Sequence, residues 1–491
     1  MGSTAATVLR GAARRALAAL TLGALVVAAV SPSQAAARPL VTGISGIGDY
    51  QPEVFAQARS TGSQMVRLAL YWDAVAPDQK PANWQPENPA DPHYDWSYID
   101  IGVTEAVRAG LNPILLVDGA PSWAQRCKAP PVQAGSLCNP DPAALEAFVK
   151  AAAGRYSGHF GGLPHVQYWQ GLNEPNLTLF FLPQFEGDKP VSPYLYRALI
   201  NAFYAGINAV DPSNLVIAAG LGPIAVPKWT IGPMRFTRLL LCMHGSRDPK
   251  PTRGDCEGGV HFDIFDIHPY TTGGPTHEGG VNDVELGDLA KLQTLLRAAD
   301  RAGRIGGQFG HTQLWNTEFS WDSNPPDPGG LPMKILSRWT AEALYRSWRV
   351  GMTRFFWYSL RDDPFDPNRS FSETLQAGLF FRGPTIAQDQ PKEVFFAFRF
   401  PFVAYPKSKG LSFWGRTPTS EPGNVRIQLW KGGHWSNAFV AQADASGIFH
   451  GLLGSRYGSS KQGQVRAVFK GGASVPFSMR PVKDFRQPPF G

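Results

Sequence analysis

Cysteine is scarce in this chain: four in 491 residues, Cys127, Cys138, Cys242 and Cys256. That excludes a scaffold built mainly on disulfides. None of the four stands in Cys-x-x-Cys spacing and no His-x3-His run lies nearby, which argues against a structural zinc site. Dense runs of Lys or Arg are missing, so nucleic acid is not an expected partner. Internal repeats and low-complexity tracts are missing as well. The apolar run from Ala16 to Val30 is too short for a comfortable membrane span. What remains is 43% hydrophobic and 17% charged, an ordinary globular composition. The length suits one large barrel with a small extra domain.

Residues 1–37 read as a signal peptide. Arg10, Arg14 and Arg15 form a basic start, the Ala16 to Val30 run follows, and Ala35-Ala36-Ala37 supplies the small residues of a cleavage site. The mature start is expected near Arg38, in a secreted or extracytoplasmic protein. An uncleaved anchor is the alternative, and Arg14-Arg15 raises a twin-arginine route. The segment holds three of the 46 basic residues and no acids. The mature chain therefore has 43 Lys and Arg against 39 Asp and Glu, a mild net charge of +4. Export and an even cysteine count favour disulfides, with three pairings open. Local pairing, Cys127 with Cys138 and Cys242 with Cys256, would staple two loops at about 3 kcal/mol each in the chain-entropy model.

From Arg38 to about residue 405, apolar strand-like runs alternate with helical patterns. The runs are Leu40–Gly46, Met65–Trp72, Pro113–Val117, Val166–Gly171, Leu215–Ala219, Phe262–His268, Thr312–Asn316 and Arg354–Leu360. Helices are expected over Pro52–Thr61, Asp95–Ala109, Pro142–Tyr156, Pro193–Val210, Pro233–Met243, Val284–Ala302, Pro332–Val350 and Gln390–Phe400. Eight such alternations predict an α/β fold, a (β/α)8 barrel with insertions. Strands too apolar to alternate fit a parallel sheet buried on both faces. A doubly wound open sheet is the structural rival. Residues 406–491 change texture to short strand-like runs split by Gly, Pro, Ser and Asn, which predicts a small all-β sandwich. Its Trp430 and Trp435 are core residues or, if exposed, flat surfaces for ligands.

The chemistry sits at two strand ends. Val166-Gln167-Tyr168-Trp169-Gln170-Gly171 runs into Asn173-Glu174-Pro175-Asn176, where Pro175 stops further pairing. Thr312 to Asn316 runs likewise into Thr317-Glu318. Two carboxyl groups at one barrel mouth are what glycosidic hydrolysis requires: one protonated to help the leaving oxygen depart, one ionised to attack carbon or activate water. Asn173-Glu174-Pro175 after a fourth strand, with Glu318 after a seventh, resembles the clan A barrel glycosidases. Tyr168-Trp169 before the triplet and Asn176-Leu177 after it are most similar to glycoside hydrolase family 39. The resemblance covers residues 38 to 405. It implies Glu174 as acid/base, Glu318 as nucleophile, Asn173 as donor to the sugar 2-hydroxyl, and retention through a covalent glycosyl-enzyme. Retention in turn requires carboxyl groups about 5–5.5 Å apart, against more than about 6.5 Å for inversion.

Other residues are expected at the same mouth. Arg67, the lone charge in its strand, would keep Glu318 ionised. In His268-Pro269-Tyr270 the phenol would bond the nucleophile and the imidazole orient substrate. Trp357 would floor the sugar subsite by stacking, with Trp123 and Trp321 as further platforms. Asp118, in the third-strand run Val117-Asp118-Gly119-Ala120-Pro121-Ser122-Trp123, would bond sugar hydroxyls or loop backbone; the family often has a glycine-rich motif there. Asp266, His268 and nearby His261 make a metal conceivable, but the clan needs none, so neither metal nor cofactor is expected. Asn176-Leu177-Thr178 is formally a glycosylation acceptor but reads as coincidence. The expected protein is a monomer acting on carbohydrate, with no nucleic-acid partner and no membrane span in the mature chain. Transglycosylation at the same site, or a barrel that binds polysaccharide without cutting it, are the competing functions.

Overall fold

The computed structural model describes residues 38–130, 136–245, 247–252, 259–454 and 463–489. The expected signal segment and Cys256 lie outside the described residues. Eight strands close a parallel barrel in sequential order: β1 (Val41–Ser45), β2 (Met65–Tyr71), β3 (Asn112–Asp118), β4 (Tyr168–Gly171), β5 (Leu215–Leu221), β6 (Ile264–Ile267), β7 (Gln313–Asn316) and β8 (Arg354–Tyr358). β8 pairs back onto β1, Val41 beside Arg354 through Ser45 beside Tyr358. The ring rules out the open doubly wound sheet.

A helix follows each strand: α1 (Pro52–Ser60), α2 (Ser97–Arg108), α3 (Pro142–Arg155), α4 (Ser192–Val210), α5 (Pro233–Leu240), α6 (Leu289–Arg301), α7 (Met333–Val350) and α8 (Glu393–Arg399). Several starts carry proline in the first turn, where its missing N–H costs nothing. Asp141 caps α3 by accepting from the Ala143 and Ala144 amides at 2.9 and 3.3 Å. The last helix begins at Glu393 rather than Gln390, because Gln390–Pro391 pairs with Phe380–Phe381.

Strand alternation decides what fills the barrel. Met65, Ile114, Leu215, Ile217, Ile264, Trp315 and Phe356 form one buried cluster, with Val41 and Tyr168 against it. All eight strands contribute, so the interior is packed. Gly43 makes room for the Phe356 ring: a Cβ there would stand 2.3 Å from it. Two residues further along the same strands the interior turns polar, with Ser45, Arg67, Gln170, Asp266, Thr317 and Tyr358. Beyond them lies the mouth at the strands' C-terminal ends.

After α8 the chain is all β. β9 (Phe402–Lys407), β10 (Gly410–Arg416) and β13 (Ile448–Leu453) form one antiparallel sheet; β11 (Gly423–Lys431), β12 (His434–Ala443) and β14 (Gln464–Phe469) form another with two short edge pieces. β9 straddles the expected domain boundary, and residues 38–491 cluster as one unit. Arg416 reaches from β10 to the Thr42 hydroxyl of β1 at 3.0 Å, wholly buried. Tyr405 donates to Glu342 of α7 at 3.1 Å, and Trp414 packs on Trp348 at 5.7 Å between ring centres. Cys127 and Cys138 form a disulfide. Cys242 is also disulfide-bonded. Among the described residues no helix is long and apolar enough to cross a membrane.

Candidate active site

The backbone turns sharply where β4 ends. Leu172 and Glu174 both adopt left-handed conformations, φ 65° and 40°, which cost a non-glycine residue roughly 1–2 kcal/mol each. Pro175 prevents the strand from continuing, and the Glu174 amide instead donates to the Gly220 carbonyl at 3.2 Å. The Asn176 side chain then fixes the neighbouring loop. Its amide nitrogen donates to the carbonyls of Gly222 and Ile231 at 3.0 and 3.1 Å, and its oxygen accepts from the Gly222 amide at 2.9 Å. A wholly buried Asn176 is an anchor, so the formal glycosylation motif is occupied by structure.

Glu174 and Glu318 meet across the mouth. A carboxylate oxygen of each and a ring nitrogen of His268 all lie within 4.8 Å of one another. These three could share a cation, but Arg67 already supplies positive charge there through an ion pair with Glu318. The other Arg67 nitrogens are used too: Nε donates to Gln170 at 2.7 Å and Nη2 to the Asn173 side-chain oxygen at 2.8 Å. Because the Asn173 carbonyl is taken by Arg67, its NH2 group is left as the donor available to the cavity. Tyr270 donates to the second Glu318 oxygen at 3.3 Å.

His268 is wholly buried and lies behind the carboxylates, so it does not orient substrate directly. Its Nδ1 is 2.8 Å from Glu174, and its Nε2 is 3.1 Å from the Thr317 hydroxyl and 3.3 Å from Asp266. Burial disfavours the imidazolium, yet Glu318, Asp266 and Glu174 outweigh it and lift His268 to about 10. Burial raises Glu174 above the ordinary carboxylate range, helped by the Glu318 charge and opposed by His268 and Arg67. Gln170 ties the two sides together, accepting from Arg67 and donating to Asp266 at 2.8 Å. Gly220 leaves space for this junction: a Cβ would come within 2.8 Å of the Gln170 amide and 3.1 Å of Asp266.

The carboxylates open onto a cavity of about 390 Å³ lined by Arg67, Asp118, Asn173, Glu174, Glu318, Tyr358 and several further aromatics. Those aromatics are Tyr50, Tyr71, Tyr98 and Phe180, with Tyr50 and Tyr98 stacked at 4.3 Å. The three expected tryptophan platforms are elsewhere. Trp357 is wholly buried, donates to the Ala377 carbonyl at 2.7 Å and packs against Phe398. Trp321 is equally buried, bonded to the Gly273 carbonyl. Trp123 bonds the Pro77 carbonyl at 2.8 Å and sits under Lys80, outside the cavity lining. Tyr358, one residue after Trp357, faces the site instead. His261 packs at a tilt against Tyr204, with ring centres 5.6 Å apart, and among the described residues it does not join His268 in a cluster of possible metal ligands. Sequence reasoning missed Gln170, Thr317, Tyr358 and the tyrosine wall. The available signal for the first three was their position two residues after interior positions of the same strands.

No protein-family model and no curated protein sequence matches the chain. Among solved structures, it is similar to a family 39 glycoside hydrolase from the gut symbiont Bacteroides cellulosilyticus WH2, at 18% identity and a TM-score of 0.53, over 85% of this chain and 80% of that one. It is also similar to a family 39 β-xylosidase from Caulobacter crescentus, at 16% identity and a TM-score of 0.48, over 81% and 84% of the two chains. A family 39 enzyme from Xanthomonas axonopodis pv. citri aligns at 13% identity and a TM-score of 0.48, over 85% and 91%. At these identities the likeness is one of fold.

Proposed function

We propose that this protein is an exported, retaining glycoside hydrolase acting on an extracellular polysaccharide or oligosaccharide. The carrying observation is the approach of Glu174 and Glu318 to within 4.8 Å across an open cavity. That approach lies with the short spacing of direct attack by one carboxylate and below the more than about 6.5 Å of an inverting pair. Glu318, paired with Arg67, is the nucleophile: its oxygen bonds the anomeric carbon as the bond to the leaving oxygen breaks. Glu174, whose carboxyl burial raises above the ordinary range, gives its proton to that oxygen. In the second half Glu174 takes a proton from water, which attacks the same carbon and frees Glu318. Asn173 donates to the 2-hydroxyl, and Tyr270 steadies the nucleophile. Export rests on the basic and apolar character of residues 1–37 and on the disulfides. Residues 406–491 form an accessory domain in this reading.

The deciding experiment measures reducing-end release from a broad panel of polysaccharides and aryl glycosides, with wild type and Glu318→Gln side by side. Release by wild type alone is the expected result. Equal release by both would remove the two-glutamate assignment, and products longer than the substrate would identify transglycosylation. No release by either, with retained polysaccharide binding, would leave a binding barrel.

A further inference from the structure

The charges facing the cavity do not balance. Among the described residues three acids line it, Asp118, Glu174 and Glu318, and Arg67 is the one cation. Each nitrogen of the Arg67 guanidinium already donates once, to Gln170, Glu318 and Asn173, and its charge is matched by Glu318. His268 is sealed behind the carboxylates with no exposed surface. In the proposed mechanism Glu174 carries a proton and Glu318 is matched by Arg67. Asp118 is then the acid left over.

Asp118 ends β3, beside Tyr71 of β2 in the strand register. The backbone amides of Gly119 and Asn173 stand beside its carboxylate, and Asp73 adds another negative charge close by. Gly119 passes so near Asp73 that a Cβ would lie 2.3 Å from its carboxylate oxygen. A carboxylate at the edge of a sugar pocket is an acceptor for hydroxyl groups, and it repels a second carboxylate.

Resting on the glycosidase reading, we infer that the sugar held in this pocket is uncharged, and that Asp118 selects it by accepting hydrogen bonds from its hydroxyls while turning away uronic acids. Among the described residues the lining's guanidinium, Arg67, is already matched in charge by Glu318, so a sugar carboxylate would meet no unmatched cation there. Burial pushes Asp118 up to about 7, so its charge is present above that pH and is lost as pH falls through it; hydroxyl donors from a neutral sugar favour the ionised form, and the discrimination is to be read near pH 8.

The test uses aryl glycosides matched except at C5, carrying hydroxymethyl or carboxylate there, with wild type, Asp118→Asn, Asp118→Ala and Glu318→Gln. Wild type should prefer the neutral member by on the order of 100-fold in kcat/KM. Asp118→Ala should lower turnover of the neutral member by about 10- to 100-fold, the range for a hydrogen bond to a charged group. Asp118→Asn keeps the shape and removes the charge, so the neutral-to-uronate ratio should fall at least about 10-fold. A merely structural Asp118 would change both substrates alike and leave that ratio fixed. Equal or faster cleavage of the uronide by wild type, or a ratio unmoved by Asp118→Asn, would overturn the inference while leaving the glycosidase standing. Turnover of nothing by wild type would bring down the glycosidase reading itself, and this inference with it.

Discussion

Glu174 carries opposed demands within a few ångströms. Its burial favours the proton, and the His268 imidazolium beside it favours the charge. The active form of an acid catalyst is the protonated one, present below its pKa. Activity should therefore fall as pH rises through the raised Glu174 value, and Glu174→Gln should abolish that alkaline limb in a kcat/KM profile. His268→Gln removes the neighbouring cation. The limb should then move to higher pH, since the charged carboxylate loses its main support; a limb that stays put would show that His268 is not coupled to Glu174. Gly220 is tested at the same scale. With φ 57° and no room for a methyl group, Gly220→Ala should cost about 1–3 kcal/mol of stability. It should also lower kcat by at least about 10-fold, because displacing Gln170 and Asp266 by a fraction of an ångström misplaces both carboxylates. Parallel thermal melts and kinetics at saturating substrate separate the two effects.

At the scale of strands and helices, the sequence shows plainly which segments are helices and strands, and poorly which face of a strand looks inward. Proline at helix starts and apolar runs of strand length make the barrel readable, and Asn173-Glu174-Pro175 marks the end of β4 because Pro175 cannot extend a ladder. The aromatics were misplaced for a physical reason. In a barrel strand covered by helices both faces are apolar, so hydrophobicity does not reveal parity. Trp357 and Tyr358 are adjacent and point to opposite faces. Phe356 and Tyr358 share the interior, and the larger indole faces the helices. Parity becomes visible once one interior residue is known: Arg67 two after Met65, and Gln170 two after Tyr168. The loop after β3 offers a prediction of its own. Cys127 and Cys138 are separated by 11 positions, and replacing both by serine should cost up to about 3 kcal/mol. Neither cysteine lines the cavity, so the expected signature is a lower melting temperature with kcat/KM preserved. A lost kcat/KM would mean that this loop shapes the pocket.

On the scale of the whole chain, the C-terminal sheets are built against the barrel's outside. Trp414 lies on Trp348 and Tyr345 of α7, with ring centres 5.7 and 5.6 Å apart. The Arg416 guanidinium, driven by burial down to about 10, has the Thr42 and Ser420 hydroxyls for partners, at 3.0 and 3.3 Å. Arg338 of α7 donates to the Ser478 carbonyl at 2.6 Å and lies over the Phe477 ring. An accessory domain joined by a free linker could be removed without harm to the barrel. Here removal would expose the aromatic face of α7 and strip the cover from β1. A chain ending at Pro401 should consequently express as aggregate, or melt well below the chain that runs on to Gly491, in solubility, size-exclusion and circular-dichroism measurements. Restoring residues 402–491 as a separate polypeptide during refolding should recover soluble barrel if the surface alone is responsible. A truncated chain that is soluble, cooperative and equally active would instead make the sheets an independent module, and their purpose would have to be sought away from the barrel.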